Sequence, residues 1–286
     1  MRVFQLALFG LVTGSFLLLA TIGFSLTRRV EGFLNIAHAQ YMAVAAFLTW
    51  FLNAELGWHF LLAATAATAT TAFLGLGIAR LFYDPMKERG PLVLLITSVG
   101  VVFLLQGLID AVFGGGTRVL SIPRPESFAL GTVRITNYQV AVILVAMASA
   151  LGLAAFFTKT KTGLSIRAMA INRQLAGSRG IDIVAASRAT WLIASGLAGV
   201  AGIILGVLGT LTPELAFEQF LTILAVAILA GLGSFYSVIA AALLIGLAMD
   251  LSLLVMPGGW RSMVAFAIVI AVLVIKPTGL GRAASP

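Results

Sequence analysis

The sequence predicts an all-α, polytopic integral membrane protein with eight or nine helical segments, organised as one transmembrane domain over residues 1–286. Of the 286 residues, 60% are hydrophobic and only 10% are charged, whereas a soluble domain has about 25% charged residues. The apolar residues form long runs, and the charged residues cluster in the loops between them. Runs of this length are typical of membrane-spanning helices. The chain has no cysteine, which excludes disulfides, thiolate chemistry and cysteine-ligated metals.

The first apolar run, Phe4–Thr27, is longer than the signal-peptide core of about 7–15 residues and therefore predicts a retained span. Arg28 and Arg29 follow it. Basic loops between spans stay in the cytoplasm, so we expect a periplasmic N-terminus. By the same rule, a span at Phe60–Ala79 leads to a cytoplasmic charged loop at Arg80–Arg89.

An uncharged segment, Gly32–Ala54, joins a polar first half to an apolar half-helix at Tyr41–Leu52. Asn35, His38 and Gln40 lie close together in the polar half. Polar side chains at membrane depth are tolerated where they face protein or a water-filled path. A half-helix entered by an irregular polar segment recurs at transport sites, so these residues are candidates for lining a translocation path. For His38, a histidine that bonds to the backbone at a helix end is an equally good interpretation.

The span at Leu92–Ile109 has Thr97 and Ser98 near its middle, and we add both to the candidate path residues. The loop at residues 114–137 follows, with short alternating pieces at 118–122 and 132–136. These pieces, with the glycines and prolines around them, predict a small hairpin or an irregular cap on the periplasmic face. A soluble protein could bind there, although most loops of this kind are solvated connections.

The most basic loop, residues 158–189, follows a span at Tyr138–Phe157 and contains six lysines and arginines against one acidic residue, Asp182. This balance predicts a cytoplasmic loop. Residues 172–180 suit a short helix that ends at glycine. A short amphipathic element held between two spans can bind a groove on a cytoplasmic partner. On composition alone, a charged loop that only sets topology is the better interpretation.

The span at Ala189–Leu211 has a small residue at every fourth position, which lets helix backbones approach closely. These residues are Ala194, Ala198, Gly202 and Gly206. Close helix packing is the first interpretation of this pattern, and a functional role is the second.

The uncharged run Gln219–Met249 is too long for a single span of about 20 residues. Gly231, Gly233 and Ser234 interrupt it. We therefore expect two shortened helices, at 220–230 and 235–249, with a break close to the path. A last run, Ser262–Ile275, is short for a span and leads to a cytoplasmic tail.

Several functional classes lack support in the sequence. It contains two histidines and no paired carboxylates within a span, so we expect no catalytic residue, no metal and no cofactor. The chain lacks the G-x-x-x-x-G-K-[ST] motif and so has no P-loop for ATP. The net charge of +8 lies in loops that set topology, rather than on a surface for nucleic acid. Ionisable residues lie at span ends, which argues against ion coupling and for an energy source on another subunit.

Three segments resemble one family. They are Asn35-Ile36-Ala37-His38, the glycine break Gly231-Leu232-Gly233-Ser234, and the loop motif G-x-x-x-R-A-x-x-x-N-x-x-x-A-x-x-x-G-I, which begins at Gly163 and ends at Ile181. The chain resembles the permease subunits of branched-chain amino acid ABC importers, in the high-affinity leucine, isoleucine and valine group. That group also includes urea and short-chain amide permeases. The resemblance covers nearly the whole chain.

The resemblance implies an importer in the bacterial inner membrane, powered by ATP that partner subunits bind. The basic loop resembles the helix that couples to the ATPase, and the implied coupling residues are Gly163, Arg167, Ala168, Asn172, Ala176 and Gly180. The 35–38 segment and the 231–234 break resemble parts that line the path. The implied partners are a paralogous second permease, two ATP-binding cassette subunits, a periplasmic solute-binding protein, membrane lipid and a small polar solute. A urea or amide permease, an ion-coupled carrier and a passive channel are the alternatives.

Overall fold

The computed structural model describes residues 2–130, 133–231, 235–276 and 279–281. This part of the chain forms eleven α-helices and one two-stranded antiparallel sheet. Seven helices are long and apolar enough to cross a membrane, which confirms the predicted all-α polytopic fold. The helices are α1 (Arg2–Glu31), α2 (His38–Trp50), α3 (Phe60–Ile78), α4 (Pro91–Phe113), α5 (Asn137–Lys159), α6 (Lys161–Ile171), α7 (Arg173–Ser178), α8 (Ile183–Leu208), α9 (Leu215–Ala230), α10 (Phe235–Leu251) and α11 (Arg261–Ile275).

The irregular segment after α1 is shorter than predicted. Gly32, with a φ of +81°, follows the last residue of α1. The amide of His38 then donates to the carbonyl of Asn35 at 3.2 Å, and α2 begins at His38 rather than at Tyr41. His38 and Gln40 are therefore helical, and the irregular part is limited to residues 32–37. After Trp50 the chain continues as a π-helical turn, Phe51–Glu55.

Tertiary contacts divide the chain into two compact units. The terminal unit comprises residues 1–22, 122–147 and 218–286, and the central unit comprises residues 23–121 and 148–217. The single transmembrane domain over residues 1–286 stays a prediction.

In the terminal unit, α1 and α10 approach closely through glycines. Gly10 and Gly14 form a G-x-x-x-G pair on α1. A Cβ added at Gly246 of α10 would lie 2.4 Å from the Cα of Gly14 and 2.7 Å from the carbonyl oxygen of Gly10. Small residues of this kind allow the backbones of membrane helices to touch.

A buried carboxylate joins three segments of the terminal unit. Asp250, near the end of α10, forms an ion pair with Arg261 of α11. Thr13 Oγ1 of α1 donates to Asp250 Oδ2 at 2.6 Å. A buried carboxylate is stable only when it is paired in this way.

Leu280 and Gly281 bind the end of α9. The amide of Leu280 donates to the carbonyl of Leu229 at 2.8 Å, and the amide of Gly281 donates to that of Ala230 at 3.0 Å. The last carbonyls of a helix have no partner within it, so these residues cap α9.

In the central unit, α8 packs closely against α2 and α3. A Cβ added at Gly202 would lie only 1.9 Å from the carbonyl oxygen of Met42 on α2, and one at Gly199 would lie 3.4 Å from the Cα of Thr68 on α3. The predicted stripe of small residues is buried. The interpretation of this stripe as a packing surface is confirmed.

The predicted hairpin in the loop at 114–137 exists, but one of its strands was assigned wrongly. Strand β1 (Ser127–Leu130) pairs with β2 (Val133–Thr136), whereas residues 118–122 belong to neither strand. Instead, Arg118 forms a single β-bridge with Leu211. Its guanidinium lies 4.7 Å from the centre of the Trp50 ring, a cation–π contact that favours this alternative position.

Candidate functional site

Three capping side chains fold the basic loop into two short helices. Thr160 begins α6 by accepting a backbone amide at 3.0 Å. Asn172 begins α7, and Asp182 begins α8, each by accepting an amide at 2.9 Å. These caps satisfy amides that the first turn of a helix leaves unbonded. The helix predicted at 172–180 is α7, and α6 is a helix that the sequence does not predict.

One face of α6 packs against the last turns of α1 and α5. Ile166 and Met169 are 1% and 2% exposed, and they cluster with Leu26 of α1. Gly163 is buried on α6, where a Cβ would lie 2.1 Å from the carbonyl oxygen of Phe156. Apolar burial and this close approach therefore fix α6 on the membrane helices.

The opposite face of the helix pair is apolar, basic and open. Leu164, Ile171 and Leu175 are 50%, 84% and 55% exposed, and Arg167 and Arg179 are also exposed. On α6 the exposed residues recur at positions i, i+3 and i+7, which share one side of a helix. We call these five residues the docking face. Large exposed apolar side chains rimmed by charge are typical of protein-binding surfaces.

The six predicted coupling residues divide by exposure. Arg167, Asn172 and Gly180 are exposed, Ala168 is half-buried, and Gly163 and Ala176 are buried. Gly180 has a φ of +80°, a left-handed conformation that suits glycine after a helix end. Contact between these residues and an ATPase stays a prediction.

The side chain of Glu31, the last residue of α1, is fully buried and was assigned no role from the sequence. Its Oε2 lies 3.0 Å from Lys87 Nζ and 3.4 Å from Arg173 Nη1. Ser187 Oγ donates to its Oε1. The carboxylate therefore joins the end of α1 to the turn after α3, to the first residue of α7 and to α8. We call these four residues the Glu31 network.

The irregular segment at 32–37 is held by polar side chains that are buried in the central unit. Tyr83 Oη donates to Asn35 Oδ1 at 3.0 Å, and the amide of Ile36 donates to Ser98 Oγ at 3.2 Å. Asn35 Nδ2 is buried and has no hydrogen-bond partner among the described residues. The Nδ2 group of Asn35 is therefore a buried donor that no described acceptor satisfies.

A second set of polar contacts leads from α2 to α4. Gln40 Nε2 donates to Gln106 Oε1 at 3.0 Å, and Gln106 Nε2 lies 3.3 Å from both carboxylate oxygens of Asp110. Gln40 is buried, whereas Asp110 is exposed. His38 is also buried, with its ring centre 5.9 Å from that of Phe24.

Five of the path candidates lie in the central unit, namely Asn35, His38, Gln40, Thr97 and Ser98, but the structure does not join all the candidates. Thr97 is half-buried and donates to a carbonyl of its own helix at 2.8 Å. Gly231, with a φ of +71°, follows α9 in the terminal unit. Gly233 and Ser234 lie outside the described residues. The path role of all these residues stays a prediction.

Glu31, Tyr83 and Gln106 were missed by the sequence analysis. A weak signal existed for Gln106, because it precedes Asp110 by four positions and so shares its face of α4. Glu31 stands between a basic pair and Gly32, a position that also fits an ordinary helix end. Tyr83 gave no signal, because its partner Asn35 is 48 positions away.

We expect Tyr83→Phe to destabilise the protein by about 1–3 kcal/mol, because it leaves the buried Asn35 Oδ1 without its hydrogen bond. Tyr138→Phe is the matched control, since the Tyr138 hydroxyl donates to the carbonyl of Pro123 at an exposed site where water can replace it. Thermal unfolding in detergent should give a lower midpoint for Tyr83→Phe alone. Equal midpoints for the two variants would contradict this expectation.

Comparisons with known proteins agree with this architecture. A family model described as "Branched-chain amino acid transport system / permease component" matches residues 6–273. The chain is 27% identical to the high-affinity branched-chain amino acid transport system permease protein LivH of Escherichia coli K12, over 96% of this chain and 94% of the relative. It is 28% identical to the corresponding BraD protein of Pseudomonas aeruginosa, with the same shares covered. No solved structure matches the chain.

Proposed function

Because the chain belongs to the family of branched-chain amino acid transport system permease components, we propose that it is the membrane subunit of an ATP-driven importer of branched-chain amino acids. It is a multi-pass membrane protein. The substrate follows from the names of full-length relatives such as LivH and BraD. The proposed location is the bacterial inner membrane.

The docking face is the observation that carries this proposal. The chain has no P-loop of its own, so the proposed importer would take its ATP-binding sites from separate subunits. The buried side of α6 fixes the helix pair to the membrane helices, and the other side leaves Ile171 84% exposed. Burial of such apolar residues, with arginines around them, is typical of a protein–protein interface. We propose that two ATP-binding cassette subunits bind the importer at the docking faces of two permeases.

The Glu31 network supports the proposed orientation. It joins the end of α1, Lys87 and Arg173 within 3.4 Å of one carboxylate, so these basic segments lie at the same end of the central unit. Basic segments between spans are cytoplasmic. The N-terminus is then periplasmic and the C-terminus cytoplasmic. The loop at 114–137 would face a periplasmic solute-binding protein, and a paralogous permease would complete the path.

We propose that the polar segment at 32–37, together with His38, Gln40 and Ser98, contributes to the translocation path. Asn35 Nδ2 supports this role, because it is a buried donor with no partner among the described residues. Irregular polar segments inside a membrane domain are tolerated where they line such a path.

Reconstitution tests the function. Liposomes that contain the chain, a second permease and two ATPase subunits should accumulate labelled leucine only when ATP and the binding protein are supplied. Uptake of urea or acetamide in place of leucine would indicate an amide permease. Uptake by the purified chain alone would contradict the proposal, with a pH-driven flux indicating a carrier and a downhill flux indicating a channel.

In the same assay, we expect Arg167→Glu to reduce both leucine uptake and ATPase co-purification. Reversing a charge within an interface costs several kcal/mol, and a loss of about 1.4 kcal/mol already lowers affinity tenfold. Lys159→Glu is the control, because Lys159 is exposed but lies outside the docking face. Equal losses in both variants would assign the effect to net charge rather than to the docking face.

A further inference from the structure

We propose that Glu31 is a positioning residue that transmits movement of α7 to the segment at 32–37. The inference rests on the proposed function, since it assumes that an ATPase moves the helix pair. The Glu31 network connects α7 to the end of α1. Glu31 is the last residue of α1 and directly precedes the irregular segment. Arg173, which binds its carboxylate, is the first residue of α7.

The carboxylate of Glu31 is buried in the central unit, whereas the side chains of Lys87 and Arg173 are partly exposed to solvent. The side chain of Glu31 is 0% exposed, and those of Lys87 and Arg173 are 23% and 40% exposed. A buried carboxylate that lost every partner would carry a large desolvation penalty. If Arg173 moves into water, Lys87 and the hydroxyl of Ser187 still bond the carboxylate. The network can therefore occupy two states, one with Arg173 bound and one with it released.

Arg173 holds the last turn of α1 at two points. Its Nη1 lies 3.4 Å from Glu31 Oε2 and also 3.4 Å from the carbonyl oxygen of Val30. A displacement of α7 away from α1 takes both contacts beyond hydrogen-bonding distance, and it weakens the attraction between the two charges. Gly32, at a φ of +81°, connects this last turn of α1 to the segment that contains Asn35. Coupling between distant sites requires such a two-state element.

Asp250 provides a matched comparison within the chain. It is also a buried carboxylate, paired with one arginine, Arg261, and with the hydroxyl of Thr13. It lies in the terminal unit and has no bond to α6 or α7 among the described residues. Loss of its charge should affect stability without affecting coupling.

The decisive measurement is the number of leucine molecules transported per ATP hydrolysed by the complete reconstituted importer. We expect Glu31→Gln to retain assembly and hydrolysis but to lower this ratio by about tenfold, within the usual range of coupling energies. Glu31→Asp, which keeps the charge, should restore part of the ratio. Asp250→Asn should lower the amount of folded protein and leave the ratio of the assembled importer unchanged. An unchanged ratio in Glu31→Gln would overturn the proposal.

Arg173→Gln covers the case in which Glu31→Gln does not fold, because Arg173 is partly exposed and its loss leaves Lys87 on the carboxylate. Its ratio should fall severalfold, and the double variant with Glu31→Gln should be no worse than Glu31→Gln alone. A wild-type ratio in Arg173→Gln would overturn the proposal by itself.

A transport-independent measurement separates this inference from the proposed function. If the wild-type complex moves no leucine, the proposed function fails, but hydrogen exchange at residues 32–37 still tests the link. Adding the ATPase subunits should change exchange there in the wild type and not in Arg173→Gln. The same change in both proteins, or no change in the wild type, would overturn the proposed link from α7 through the Glu31 network.

Discussion

Gly202→Ala is expected to prevent the subunit from reaching a stable fold. A Cβ at this position would lie 1.9 Å from the carbonyl oxygen of Met42 and 2.7 Å from its Cα. These are backbone atoms of α2, so no side chain can rotate away. Overpacking of a core costs about 1–3 kcal/mol even where side chains can adjust, and here α2 and α8 must separate along their length. The yield of monodisperse protein in detergent should fall more than tenfold.

Gly196→Ala is the control for this prediction, because it makes the same chemical change on the same helix. The new Cβ would meet only the Cβ of Ala72, at 3.7 Å, which is an ordinary contact. Alanine also favours a helix over glycine by about 1 kcal/mol. We expect wild-type yield and an equal or higher unfolding temperature. If Gly202→Ala behaves like this control, the close contact of α8 with α2 is wrong.

Gly163→Ala is expected to give a folded subunit that no longer couples to ATP hydrolysis. Its Cβ would lie 2.1 Å from the carbonyl oxygen of Phe156 and 2.7 Å from the Cα of Phe157. To relieve this overlap, α6 must move away from the end of α5 and carry the docking face with it. A shift of about 1 Å is comparable with the tolerance of a well-packed interface. Leucine uptake and ATPase co-purification should both fall at least tenfold.

Gly177→Ala on α7 tests whether this effect is specific to the buried side of α6. Its Cβ would meet Ile183 Cγ1 at 3.6 Å, so α7 need not move. We expect near-normal uptake from this variant and a normal yield of membrane-inserted protein from both. A large loss of inserted Gly163→Ala protein would mean that α6 is required for folding rather than for coupling.

Local patterns predicted most of the helices but not their long-range contacts. The apolar runs at α3, α4 and α5 are bounded by charges and turn residues, so their ends are visible in the sequence. The contacts of Glu31 are not, because Arg173 and Ser187 lie 142 and 156 positions away. The sequence does not distinguish a buried glutamate from an exposed one, because the difference arises only from the fold.

In the candidate site, too, the sequence indicated individual polar residues but not their long-range partners. Asn35, His38 and Gln40 stand out because polar residues are rare in apolar runs, whereas their partners Tyr83 and Gln106 resemble ordinary helix residues. In the loop at 114–137, alternation identified a strand-like piece at Arg118 but not its partner. Arg118 instead pairs with Leu211 and contacts the Trp50 ring, and both partners are remote from it in sequence.

The exposed half of α6 and α7 also bears on how the subunit must be produced. Leu164, Ile171 and Leu175 are at least half exposed, and apolar patches of this kind favour aggregation when no partner covers them. If ATPase subunits cover this face, as we propose, chains synthesised in excess of those subunits would present these side chains to cellular proteases and chaperones. The abundance of the subunit should therefore follow the supply of its companions, and co-expression from one transcript should raise the yield.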